Sequence, residues 1–175
     1  MERIYLISES YIKKYSNLDD NVWGEYLTPA IWEAQEMGLQ SIIGTSLYSD
    51  ILDKVSSGDK TTYKELIENY IQSYLMYKVI SNLVPIIGVK LANLGTVISN
   101  DEHVQNLTKA ERGNLQQYYQ QRADFYCRRL QEYLINNKDN YEALDECSCA
   151  SIKANLRSAA STGLFLGGAR GRMRK

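Results

Sequence analysis

Apolar side chains recur along most of this chain every three or four positions rather than every second one, the spacing that lines one face of an α-helix. Only Pro29 and Pro85 interrupt it, so helices are expected almost throughout. Ser8 or Ser10 is placed to cap a short helix through Tyr15, and the run Ser16-Asn17-Leu18-Asp19-Asp20-Asn21 reads as a loop whose side chains compete for backbone hydrogen bonds. A second helical stretch covers about 22 to 43. There a short turn is expected to end near Leu27, with a longer helix restarting around Pro29 in its first turn. On it Ile31, Ala34, Met37 or Gly38, and Ile42 share one face. Gly44 offers a C-terminal stop, and Thr45 or Ser46 caps a third helix striped by Leu47, Tyr48, Ile51, Leu52 and Val55.

The strongest pattern starts at Thr61 or Thr62, where Thr62-Tyr63-Lys64-Glu65 has the form of a capping box. Its stripe of Tyr63, Leu66, Ile67, Tyr70, Ile71, Tyr74 and Leu75 continues to Leu83 and covers more than half the circumference, which predicts a central helix. From Ile86 to Asn106 the pattern lapses into a loop or small hairpin, with a turn at Leu94-Gly95-Thr96-Val97. A second capping box, Thr108-Lys109-Ala110-Glu111, opens a helix to about Asn136 bearing Leu115, Tyr119, Arg122 or Ala123, Tyr126, Leu130, and Tyr133 or Leu134. A short segment from Tyr141 to Leu144 folds back. The fold predicted is all-α: a compact bundle of about five helices over residues 1–145, followed by an extended tail, rich in glycine and arginine, over residues 146–175.

Charge sharpens that division. From Ser151 onward there are six basic residues and no acid, whereas fourteen basic against twenty-one acidic residues leave residues 1–150 at about −7. An acidic body does not attract nucleic acid over its surface; the tail suits either phosphates or an acidic protein groove. No apolar run approaches the roughly 18 residues of a membrane span, so no membrane association is expected. The opening Met1-Glu2-Arg3-Ile4-Tyr5 lacks a signal-peptide layout, so a cytoplasm-like compartment is expected. Cys127, Cys147 and Cys149 are too few and too clustered for a disulfide framework. Cys147-Ser148-Cys149 offers two thiolates where a tetrahedral metal site needs four ligands, so neither metal nor cofactor is expected.

Candidate chemistry is sparse. His103 sits in the irregular segment beside Asp101 and Glu102, and both that acidic pair and Asp19-Asp20 fall in turns where such residues satisfy the backbone. The glycines at 163, 167, 168 and 171 follow no strand, so they do not form a phosphate loop, and no Ser or Cys has a credible base partner. Enzymatic activity is not expected. The fourteen tyrosines, against two phenylalanines, have two readings: core-edge residues with the hydroxyl in water, or subunit contacts. Tyr118, Tyr119 and Tyr126 are the candidates for subunit contact, because they spread over more of the helix than one core can bury. The tail has three: a solvated end, a nucleic-acid contact through Arg170, Arg172, Arg174 and Lys175, or docking into a partner protein. The apolar triplet Leu164-Phe165-Leu166 favours docking, since it contributes nothing to phosphate binding but suits an extended strand in a groove.

Three stretches carry a family resemblance: Leu6-Ile7-Ser8-Glu9-Ser10-Tyr11-Ile12, Tyr26-Leu27-Thr28-Pro29-Ala30-Ile31-Trp32-Glu33-Ala34-Gln35, and Ile42-Ile43-Gly44-Thr45-Ser46-Leu47-Tyr48. Tyr63-Lys64-Glu65-Leu66-Ile67 with Tyr70-Ile71-Gln72, and Ala123-Asp124-Phe125-Tyr126-Cys127-Arg128-Arg129-Leu130, extend it over roughly residues 4 to 135. In these the chain resembles the head–tail connector proteins of tailed bacteriophages, nearest to the ring, or adaptor, proteins of crAss-like phages. The resemblance implies a virion protein, assembled in the host cytoplasm as a ring under the portal and twelve-fold like it. DNA passes through such a ring without sequence specificity, other tail or ring proteins join it, and the C-terminal segment grips the portal. It implies no catalysis. The alternative kept open is a helical nucleic-acid-binding protein using its basic tail.

Overall fold

Helix α1, Glu9–Tyr15, starts where Ser8 Oγ accepts the amide proton of Tyr11 at 3.2 Å, an N-cap that satisfies one of the first turn's orphan donors. It belongs to a computed structural model that describes residues 3–19, 22, 24–59, 61–87, 89–92, 95–98, 108–144 and 152–156. Helix α2 is one continuous rod made of Gly24–Glu33, a π-type segment Ala34–Leu39, and Gln40–Ile43. Helix α3 is Thr45–Ser56. Helix α4 runs through Lys64–Leu66, a second π-type segment Ile67–Ile71, and Gln72–Leu83. Strands β1, Val89–Ala92, and β2, Gly95–Ile98, form an antiparallel hairpin with Val89 opposite Ile98 and Ala92 opposite Gly95. Helix α5, Lys109–Asn136, is followed by two single 3₁₀ turns, Lys138–Asn140 and Glu142–Leu144. The body is therefore all-α: among the described residues, five helices with one small hairpin between α4 and α5.

The π segments explain the burial stripe. On α2 the buried positions are Leu27, Ala30, Ile31, Ala34, Gln35, Gly38, Leu39, Ile42 and Ile43, two rows each stepping by four. In an α-helix each step of four overshoots a full turn by about 40°, so such rows would wind off the core face. The wider π turn cancels that drift and keeps them aligned. It also decides between the two sequence candidates for the face: Gly38 is buried, while Met37 is 71% exposed. On α4 the same device separates Leu66 and Ile71 by five positions, after which Leu75, Val79 and Leu83 follow at four.

Three sequence expectations are corrected. Pro29 lies inside the helix Gly24–Glu33, with no break near Leu27. The capping box at Thr62 does not form, because both threonine hydroxyls donate to the Asp59 carboxylate, Thr61 at 2.7 Å and Thr62 at 2.6 Å. The helix then begins at Lys64 with no side-chain cap. Gly95-Thr96-Val97 lies in β2 rather than in a turn. The box at Thr108 does form: Thr108 Oγ1 accepts from the Glu111 amide, and Glu111 accepts from the Thr108 amide at 2.9 Å.

The core lies between α2 and α4, closed by α1 and α3 on their sides and by α5, which packs along α4. Ile12, Leu27, Leu39, Ile43, Leu47, Ile51, Leu66, Ile71, Leu75, Leu83 and Leu130 are fully buried, each contributing about 1.5–3 kcal/mol of transfer free energy. One buried amide is built into it. Gln35 accepts the Leu6 amide proton at 2.7 Å and donates to the Ile4 carbonyl at 3.2 Å, which fixes the N-terminal segment against α2. Ala123, Leu130, Gln131 and Leu134 are the buried positions of α5, so its first three turns stand clear of the core. Leu115, placed on the core stripe by its spacing, is 36% exposed for that reason.

Candidate interaction surfaces

Two rows of aromatic residues divide α5. The inner row closes the groove between α4 and α5: Tyr126 stacks on Tyr77 with ring centres 5.3 Å apart, Tyr133 stacks on Tyr70 at 4.0 Å, and the hydroxyls of Tyr133 and Tyr141 lie 3.1 Å apart. Burial raises the Tyr77 and Tyr141 hydroxyls above the ordinary tyrosine value and keeps them neutral. The outer row lies on the opposite side of the helix from Ala123 and Leu130. Tyr118 and Phe125, seven residues and so almost two turns apart, are 45% and 55% exposed. The Arg122 guanidinium lies 3.4 Å from the centre of the Tyr118 ring and donates to the Tyr118 carbonyl at 3.3 Å. Edge-to-face contacts at 5.2 Å (Tyr118 on Tyr119) and 5.3 Å (Phe125 on Tyr126) join the two rows.

The three tyrosines marked as subunit-contact candidates are thus placed differently. Tyr118 faces solvent, whereas Tyr119 and Tyr126 are half-buried at the edge of the core. Phe125 is the residue that sequence reasoning missed. Its signal was the seven-residue step from Tyr118, on the side of the helix away from the periodic apolar stripe.

The second surface is the root of the tail. Gly44 links α2 to α3 with φ +83° and ψ 159°, a backbone region essentially reserved for glycine. Against it lies the extended segment 152–156. The Thr45 amide donates to the Ile152 carbonyl at 2.9 Å, the Ile152 amide to Thr45 Oγ1 at 3.0 Å, and the Asn155 amide to the Ile42 carbonyl at 2.8 Å. Gln131, buried on α5, donates its side-chain amide to the Asn155 carbonyl, and Leu156 packs against the core. Contacts with the body therefore continue to Leu156, past the boundary at 145 drawn from composition. Leu164, Phe165, Leu166, Arg170, Arg172, Arg174 and Lys175 lie outside the described residues, as do His103, the Asp101-Glu102 pair and Cys147-Ser148-Cys149.

A third feature is an open cleft of about 590 Å³ between α3 and the 3₁₀ turns, lined by Asp50, Asp53, Tyr63, Asp139, Asn140 and Glu142 among others. The Tyr63 hydroxyl donates to the Asp50 carboxylate; burial, and then that bond, raise the phenol's pKa well above its ordinary value. Among the described residues no group of three or more His, Cys, Asp or Glu side chains is placed to hold a metal ion. Cys127 is half-buried, and desolvation pushes its thiol up to about 11, which favours the protonated form at neutral pH. No helix among the described residues is long and apolar enough to cross a membrane.

No curated protein and no solved structure matches this sequence. Its match is to a family of unknown function over residues 39–154, a span running from the end of the π segment of α2, through α3, α4, the hairpin and α5, into the tail root. That span is about two thirds of the 175 residues, and the chain belongs to this family, DUF6712.

Proposed function

We propose that this chain is a virion structural protein: a ring at the head-to-tail junction beneath the portal, around the DNA passage, joining the capsid portal to the tail. The helical body supplies contacts between copies, and the tail docks on the portal protein, with Leu164, Phe165 and Leu166 as apolar anchors and Arg170, Arg172, Arg174 and Lys175 as charge partners. The protein has no chemistry of its own in this reading. Other tail or ring proteins lie below it, and DNA passes without sequence readout.

The observation that carries the reading is the tail root. Two backbone hydrogen bonds, the Thr45 hydroxyl and the Gln131 side chain fix residues 152–156 across the Gly44 junction. The nineteen residues that follow start from a set point on the body, and at about 3.4 Å per residue they reach at most roughly 65 Å. A basic, glycine-rich sequence that follows this fixed root is suited to gripping a neighbour, with the apolar triplet as anchor and the arginines as charge partners.

Deleting residues 158–175 tests it against purified portal protein. Loss of binding, with the body still folded, is the expected result, and undiminished binding would sink the docking claim. The basic tail also favours a second reading, a nucleic-acid-binding protein. That reading requires DNA affinity that falls steeply with salt, by roughly one logarithmic unit of slope per phosphate neutralised.

A further inference from the structure

We propose that the outer face of α5, around Tyr118, Arg122 and Phe125, seats against the acidic cleft of a second copy of this chain. The inference rests on the ring reading above and names the surfaces that would join its copies.

The outer face has the composition of an interface anchor. Tyrosine and arginine dominate the energetics of protein contacts, and here a tyrosine, an arginine and a phenylalanine share one side of a helix. Tyr118 and Phe125 lie on the side turned away from the core and keep about half their surface open, with Arg122 half-buried against Tyr118. Tyr118 and Phe125 are held upright by Tyr119 and Tyr126, whose own rings are fixed in the body. Such preorganisation lowers the entropy lost on binding. Arg122, Arg128 and Arg129 make this stretch of helix basic, with Asp124 the one acid from Arg122 to Arg129, although the Arg129 guanidinium itself lies over the Tyr70 ring of α4.

Charge identifies the occupant. The cleft carries Asp50, Asp53, Asp139 and Glu142 on its lining, opposite in sign to the α5 face. Both cannot meet within one copy. The cleft sits past the C-terminal end of α5, and Phe125 lies eleven residues before that end at Asn136, about 16 Å along a rigid helix. Two complementary patches at different places on one body make a heterologous contact, which propagates from copy to copy and closes into a ring when the rotation allows.

Charge exchange tests this on the full chain. Sedimentation velocity at rising concentration is expected to show self-association for the native protein and at least ten-fold weaker association for Arg122→Glu and for Asp53→Arg alone. Asp53 is exposed, and Arg122 is half-buried with its contacts to Tyr118 made within its own helix, so both variants should keep the helical circular dichroism signal. The decisive sample is an equimolar mixture of the two. Each variant keeps one native surface, and their altered surfaces are complementary to each other, so association should return to within about two-fold of the native level. Phe125→Ser, which leaves every charge in place, should weaken association as well. Single variants that associate like the native chain, or a mixture that stays apart, overturn the pairing while leaving the ring intact. A native chain that is monomeric at every concentration overturns both, whereas docking of the tail on the portal is read separately by the deletion.

Discussion

A single methyl group at Gly44 would meet two obstacles. A Cβ there would lie 2.8 Å from the Ala154 amide nitrogen and 3.1 Å from the Ile152 carbonyl oxygen, both backbone atoms that cannot swing aside. The φ of +83° adds conformational strain of about 1–3 kcal/mol for any residue with a side chain. Gly44→Ala should therefore lower stability in urea by at least that amount and let protease cut between residues 151 and 157 sooner than in the native chain. A variant as stable and as resistant as the native protein would show that the strap does not depend on this glycine. The sequence marked Gly44 as a helix stop, which it is. It gave no sign that residues more than a hundred positions later lie against it, because what meets Gly44 is the backbone of Ile152 and Ala154, which carries no residue-type signature.

Elements respond to local chemistry that competes for the same partners. At the start of α4, Asp59 receives hydrogen bonds from the hydroxyls and amides of Thr61 and Thr62, and the Thr62 hydroxyl bond, with the others, holds its carboxyl well below the ordinary value of 3.8. A group whose pKa is depressed on folding adds stability that is fully present above its unfolded value and is lost as pH falls through the folded one. Asp59→Asn should thus be less stable than the native chain at pH 6, with the difference shrinking below about pH 4, where the unfolded chain's carboxyl takes up a proton before the folded one does. Denaturant titrations at pH 6, 4 and 2.5 would measure it, and a difference that stays constant across them would refute this role. The capping-box pattern at Thr62 was real as a pattern; Asp59, three positions earlier, simply offers the threonine a stronger, charged acceptor. At Thr108 no such competitor intervenes in the described contacts, and the box forms.

At the scale of the molecule, the body ends where its contacts end. Leu156 packs on the core, and Gln131 reaches the Asn155 carbonyl, so a chain stopped at Ser151 should melt several degrees below the full-length protein. A chain stopped at Arg157 should melt with it. Thermal unfolding by circular dichroism separates the two, and equal melting of all three chains would show that the strap adds no stability. The same comparison supplies a folded body for the portal-binding assay, since deletion from 158 onward spares the strap.

The helices were legible because the period of apolar positions, the caps at Ser8 and Thr108 and the stop at Gly44 are all local, and each follows from the residues alone. The tyrosines of α4 and α5 were legible as amphipathic, but not which of them would be covered: Tyr126 is, by Tyr77, and Tyr118 is not, because it lies on the side of α5 opposite Ala123 and Leu130. The π turns in α2 and α4 could not be read, since rows stepping by four fit a drifting α-helix as well until packing demands that they stay in line. Sequence by itself determined that this is a helical, acidic body with a basic tail. The tertiary structure decided which faces that body leaves open, where its tail is anchored, and that a basic aromatic face and an acidic cleft lie too far apart on one copy to satisfy each other.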